Sequence, residues 1–163
     1  MADRVEKALE YFKRSFFAID GLWFVMLEGA DSFDRALEID EKVWRVMPKI
    51  QSRKIRELYG IGGKGLRDLL RALWIKFEIE GYEAGIEFEG DRALISIREC
   101  PWFEIMKGAG RGALAGRIGE RICSTEYRAW ADEFGGGIRF SLESQLCKGD
   151  DACRLRFQCE KMA

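Results

Sequence analysis

The stretch Tyr82-Glu-Ala-Gly-Ile-Glu-Phe-Glu89-Gly-Asp-Arg92-Ala-Leu-Ile-Ser-Ile-Arg98 decides the fold. From Glu83 to Glu89, and again from Arg92 to Arg98, apolar and polar side chains alternate. That period of two marks strands with one covered face. Glu89-Gly90-Asp91 can turn the chain between them, so the segment reads as a β-hairpin with strands near 82–89 and 92–99. A second alternating pair closes the sequence. Gly137-Ile-Arg-Phe-Ser-Leu-Glu-Ser144 and Cys153-Arg-Leu-Arg-Phe-Gln158 flank the turn Lys148-Gly-Asp-Asp151, which predicts strands near 137–146 and 152–159.

Everything before Tyr82 has a different period. Val5, Leu9, Phe12, Phe16 and Phe17 recur at helical spacing. Asp20-Gly21 then offers a cap that would open a second helix through the apolar run Leu22–Leu27. A third helix is predicted from Ser32, with Phe33, Ala36, Leu37, Val43, Trp44 and Met47 on one face, until Pro48 kinks or breaks it. Leu66 to Phe77 gives a fourth, and a further helix between the hairpins is predicted over roughly 111–133. The expected fold is α+β: N-terminal helices, then hairpin, helix and hairpin forming an antiparallel sheet. We expect one domain over 1–163, with a helical half at 1–80 and a sheet-containing half at 81–163.

Composition narrows the function. Lys plus Arg number 27 and Asp plus Glu 28, giving a net charge of −1 with the basic residues spread along the chain. Such a chain has no field to hold a nucleic-acid backbone or an anionic membrane, so neither partner is expected. The longest apolar run, Leu22–Leu27, is far shorter than a membrane span, and the charged N-terminus lacks the apolar segment of a signal peptide. A cytoplasmic protein is expected, where thiols stay reduced.

Histidine is absent, which removes Ser-His-Asp triads, Cys-His dyads and His-bearing zinc sites. Thiol chemistry, carboxylate chemistry and plain ligand binding remain. Cys100, Cys123, Cys147 and Cys153 lie at a strand end, in a helix and on both sides of the last turn. Four thiolates converging from such places suit zinc or an iron–sulfur cluster, although five residues separate Cys147 from Cys153 where a zinc knuckle has two. The same cysteines also read as small buried hydrophobes, with Cys159 on the strand face of Cys153. A third reading makes Cys100, ahead of Pro101 at a helix start, a nucleophile with Arg98 or Arg111 as activating cation. The five glycines Gly108, Gly110, Gly112, Gly116 and Gly119 fit neither phosphate-loop spacing, and close helix packing or flexibility explains them better.

Among the acids, Glu28 and Asp40 interrupt apolar helix faces, with Lys49 and Arg53 the nearest basic partners by helical order. Trp23, Trp44 and Trp102 carry polar tips on flat apolar bodies, as the walls of small-molecule pockets do. The expected ligand site is therefore Trp23, Glu28, Asp40, Trp44 and Trp102, taking a small apolar or aromatic molecule. A structural ion pair or an indole hydrogen bond is the plainer account of each acid.

Two stretches carry a resemblance. Asp20-Gly-Leu-Trp-Phe24 with Glu28, Ala36-Leu-Glu-Ile-Asp40, Val43-Trp44 and Lys49 is one, and Cys100-Pro-Trp102 with Cys123 and the final hairpin is the other. Together they resemble a family of small bacterial and archaeal proteins known only as a domain of unknown function. The C-terminal half is also similar to the 4-vinyl reductase domain, through its Gly-Asp-x-x-Cys-like ending. It resembles the L-2-amino-thiazoline-4-carboxylic acid hydrolase family in its Cys-Pro element and Gly-Asp-Asp-x-Cys ending. Those resemblances imply a pocket for a small molecule and a reactive or metal-bound thiol, but transfer no reaction. The reading that follows is a small-molecule-binding protein with a cysteine cluster able to hold metal. The alternatives are a cysteine- or metal-dependent hydrolase of a small cyclic substrate and a homodimeric scaffold whose cysteines only pack.

Overall fold

The computed structural model describes residues 2–135 and 137–159. It contains six α-helices among those residues, α1 (Ala2–Ala30), α2 (Phe33–Trp44), α3 (Met47–Tyr59), α4 (Leu66–Glu80), α5 (Pro101–Gly108) and α6 (Ala115–Glu133). Four strands accompany them, β1 (Glu83–Glu89), β2 (Arg92–Glu99), β3 (Ile138–Ser144) and β4 (Cys153–Cys159). The fold is α+β. Two compact units divide the chain, residues 1–40 and residues 41–163.

In the first unit, the break predicted at Asp20-Gly21 does not occur, and one helix runs through it. A single interior glycine costs only about 1 kcal/mol, and no proline intervenes to enforce a stop. The helix start predicted at Ser32 is formed as a cap: the Ser32 hydroxyl accepts from the Arg35 amide at 3.2 Å. Phe24 and Phe33 meet edge to face across the corner, with ring centroids 5.5 Å apart.

In the second unit, Pro48 opens a helix instead of breaking one. It stands in the first turn of α3, where its missing N–H has no intrahelical partner to lose. Gly81 ends α4 at φ 83°, and its amide donates back to Phe77 O at 2.8 Å. The strand then begins two residues later. Gly90, at φ 61°, and Asp91 form the two-residue turn that sets Glu89 opposite Arg92.

The sheet is antiparallel throughout, in the order β1-β2-β4-β3. Ala93, Ile95 and Ile97 of β2 lie opposite Phe157, Leu155 and Cys153 of β4, so one face presents an unbroken apolar surface. Leu69, Leu73 and Phe77 of α4, Trp130 of α6 and Phe134 beyond it close over that face as one buried cluster. The other face carries Glu87, Arg154, Arg156 and Glu143, where Arg156 and Glu143 pair across β3 and β4. Among the described residues, no helix is long and apolar enough to cross a membrane.

Candidate functional site

The cysteines gather at one end of the helix-covered face. Cys153 opens β4 opposite Ile97, and Cys100 stands three residues beyond Ile97, directly after the end of β2 and at the N-cap of α5. Cys147 lies in the 3-10 turn Leu146–Lys148 that joins β3 to β4. That turn is pinned from both sides. Asp150 Oδ2 accepts from the Gln145 amide at 2.7 Å, and the Leu146 amide donates to Cys153 Sγ at 3.3 Å.

Helix α6 presses against this turn through two glycines. A Cβ on Gly116 would stand 3.2 Å from the Cys147 carbonyl oxygen. One on Gly119 would stand 2.8 Å from Cys147 Sγ, 3.2 Å from Gln145 Nε2 and 3.9 Å from Cys123 Sγ. Only glycine permits that approach, so two sulfurs and an amide converge on bare helix backbone. Gln145 is buried and its Nε2 has no hydrogen-bond partner. A buried donor without an acceptor costs about 1–3 kcal/mol, which marks the spot as unusual.

The four thiols influence one another. Burial pushes the Cys123 thiol well above its ordinary range, and the charges Cys100, Glu126, Cys153 and Cys147 would carry push the same way. Burial raises Cys100 to about 12, against the opposing pull of the Phe103 and Trp102 amides at the start of α5. Cys147 and Cys153 are also raised, chiefly by burial. As placed, no three His, Cys, Asp or Glu side chains among the described residues form a group that could hold a metal ion. All five cysteines are free.

Beside the thiols lies a charged cluster that sequence reading passed over. Lys76, 1% exposed, reaches Glu80 at 2.7 Å and Glu126 at 3.0 Å. Burial opposes its charge, but the Glu126 and Glu80 carboxylates outweigh it and hold the ammonium pKa above the ordinary range. Gln51 Nε2 donates to Glu80 Oε1 at 3.2 Å, and the ammonium stands 5.0 Å above the Tyr82 ring. Tyr127 is buried and Tyr82 partly buried beside it, and both ionise well above the ordinary range, first through loss of water around the phenol. The signal was present in the sequence: Lys76 and Glu80 continue the apolar stripe Leu66, Leu69, Leu70, Leu73 and Phe77 of α4.

Of the expected ligand residues, Trp44 and Trp102 meet edge to face in the second unit, with centroids 5.6 Å apart and planes at 87°. Trp102 follows Cys100 by two residues, so this pair adjoins the cysteine cluster. Trp23, Glu28 and Asp40 lie in the first unit, Trp23 exposed and the two acids half-buried. Arg53, expected near Asp40, is engaged by Glu133 in a two-point ion pair at 2.8 and 2.9 Å.

Over residues 2–160 the chain matches the Family of unknown function (DUF6125), and it belongs to that family. No curated protein matches it.

Proposed function

We propose that this protein is a small-molecule-binding protein of the 4-vinyl-reductase-like type, with a soft metal ion held by its cysteine cluster. One observation carries the reading: the sulfurs of Cys123 and Cys147 and the unpartnered Gln145 amide close on Gly119, with Cys153 and Cys100 alongside. The donor set is thiol only, which suits zinc, and the tight approach to α6 favours one ion over a polynuclear cluster. Protonated thiols have no reason to turn toward a common point. Binding an ion releases their protons and supplies that reason, so the side chains rotate inward on ligation. The Trp44–Trp102 pair next to Cys100 then receives a small apolar or aromatic molecule.

The hydrolase alternative is less well supported. A thiol raised to about 12 is a poor nucleophile at neutral pH. Lys76 is the cation among the leading influences on Cys100, and it already sits between two carboxylates.

Elemental analysis of protein purified without chelator tests the metal. One equivalent of zinc per chain is expected, lost in Cys123→Ser, Cys147→Ser and Cys153→Ser. A metal-free protein that gains no thermal stability on titration with zinc would sink the metal centre. Binding is tested separately by tryptophan quenching against a panel of aromatic and apolar small molecules. Quenching should disappear in Trp102→Phe, and a panel without a single saturable ligand would count against the small-molecule reading.

A further inference from the structure

Helix α1 carries an apolar seam that its own unit does not use. Leu9, Phe16 and Trp23 alternate with Phe12, Ile19 and Met26 at intervals of three and four residues. That is an unbroken heptad pattern along a 29-residue helix about 43 Å long. Except for the partly covered Phe16, each of these side chains is at least half exposed. The helix turns a different side, bearing Phe24, toward Phe33 of α2. Large apolar side chains in a regular row on a solvent-facing helix call for a partner.

We propose that α1 pairs with α1 of a second copy of this chain, as an antiparallel two-stranded coiled coil. The inference is independent of the cysteine site. The spacing favours a helix as occupant, because a repeat of 3.5 residues keeps its seam toward another helix over many turns. A helix lying on a bilayer needs a broader apolar face with cations along its polar side, whereas Asp3, Glu6, Glu10, Asp20 and Glu28 balance the basic residues of α1.

Charge selects the orientation. With the two-fold axis between Phe17 and Ala18, Phe16 lies opposite Ile19 of the second copy, Phe12 opposite Trp23 and Leu9 opposite Met26. Every seam residue is matched, and Val5 meets Ala30 at the ends. The same register sets Lys13 beside Asp20 of the second copy, twice by symmetry. In the single chain Lys13 leans on Glu10 at 2.8 Å, within reach of that alternative. The opposite flank carries Ala8, Ser15, Leu22 and Gly29, which add no charge and let the backbones approach. A parallel pair would instead set Ser15 and Ala8 against Asp20 and Lys13 and gain no ion pair.

Sedimentation equilibrium of the full chain at micromolar concentration should give twice the chain mass. Phe12→Glu with Ile19→Glu should yield a monomer with an unchanged far-UV spectrum. Should that variant fold poorly, the charge set carries the test at the half-exposed flank positions Lys13 and Asp20. Lys13→Glu and Asp20→Lys should each weaken association by roughly fivefold, and the double exchange should restore it. A wild-type monomer at 100 μM, with or without binding to phosphatidylglycerol vesicles, would overturn the proposal. So would a dimer indifferent to the seam substitutions, or a double exchange no tighter than the single ones.

Discussion

At the scale of single residues, the buried Lys76 is the group whose loss costs most. Burying an ammonium is expensive, and its two carboxylates repay that only while all three are present. Replacing Lys76 by Met would strand Glu80 and Glu126 in the core, and we expect chemical denaturation to show a loss of about 3–5 kcal/mol at neutral pH. An exposed lysine such as Lys54, paired only with Glu57 on the surface, should cost less than 1 kcal/mol in the same assay. The same cluster sets the alkaline limit. Lys76, Tyr82 and Tyr127 all ionise above their ordinary ranges in the folded chain. Their stabilisation is therefore complete below pH about 10 and is lost as pH rises through the folded values. In an absorbance titration, the Tyr82 and Tyr127 phenolates should appear only together with the loss of folded structure. Smooth titration of all four tyrosines in a still-folded protein would refute this.

At the scale of elements, glycine separates two kinds of helix position. Gly21 in α1 has no neighbour within 4 Å of an added Cβ, so Gly21→Ala should gain about 0.5–1 kcal/mol from propensity alone. Gly119→Ala earns the same propensity but drives a methyl into Cys147 Sγ and Gln145 Nε2, and overpacking of about 1–3 kcal/mol should dominate. Thermal melts of the two variants should move in opposite directions. Between α3 and α6, the Arg53 guanidinium holds the Glu133 carboxyl below its ordinary range, chiefly by direct hydrogen bonding. That contribution is present above the unfolded glutamate pKa and fades as pH falls through the folded one. Arg53→Ala should lower the urea midpoint at pH 7 and leave it almost unchanged at pH 3. The same elements show what sequence makes visible. Both hairpins could be read because a period of two survives wherever one sheet face is covered. The continuity of α1 through Gly21 and the helix opened by Pro48 could not, since each residue also signals a stop and only its context chooses. The four cysteines stood out as residues, but which of them become neighbours depends on β4 lying between β2 and β3, a long-range order that local pattern does not contain. Lys76 and Glu80 were readable as an ion pair within an apolar stripe; Glu126, which completes the cluster, comes from another helix.

At the scale of the whole molecule, the division between residues 40 and 41 has a physical basis in the second unit. The contiguous buried cluster runs from Ile55 to Phe157 and draws on no residue before α3. Glu41, the first residue of that unit, is fastened to α6 by Arg121, and its Oε1 accepts from Thr125 at 3.4 Å. Sheet, covering helices, cysteine cluster and Trp44–Trp102 pair all lie within it. A cluster of that size, with its strands paired in register, contains what cooperative folding requires without α1. A chain of residues 41–163 should therefore unfold in one transition, keep the near-ultraviolet signal of packed aromatics and retain whatever metal the full chain binds. It should also be monomeric at concentrations where the full chain associates through α1, because the seam has been removed and the thiol site has not. A fragment with far-ultraviolet but no near-ultraviolet signal, expanded and binding hydrophobic dye, would show that the core needs the first forty residues. Retained dimerisation by the fragment would place the interface on the second unit and take the seam of α1 out of the assembly.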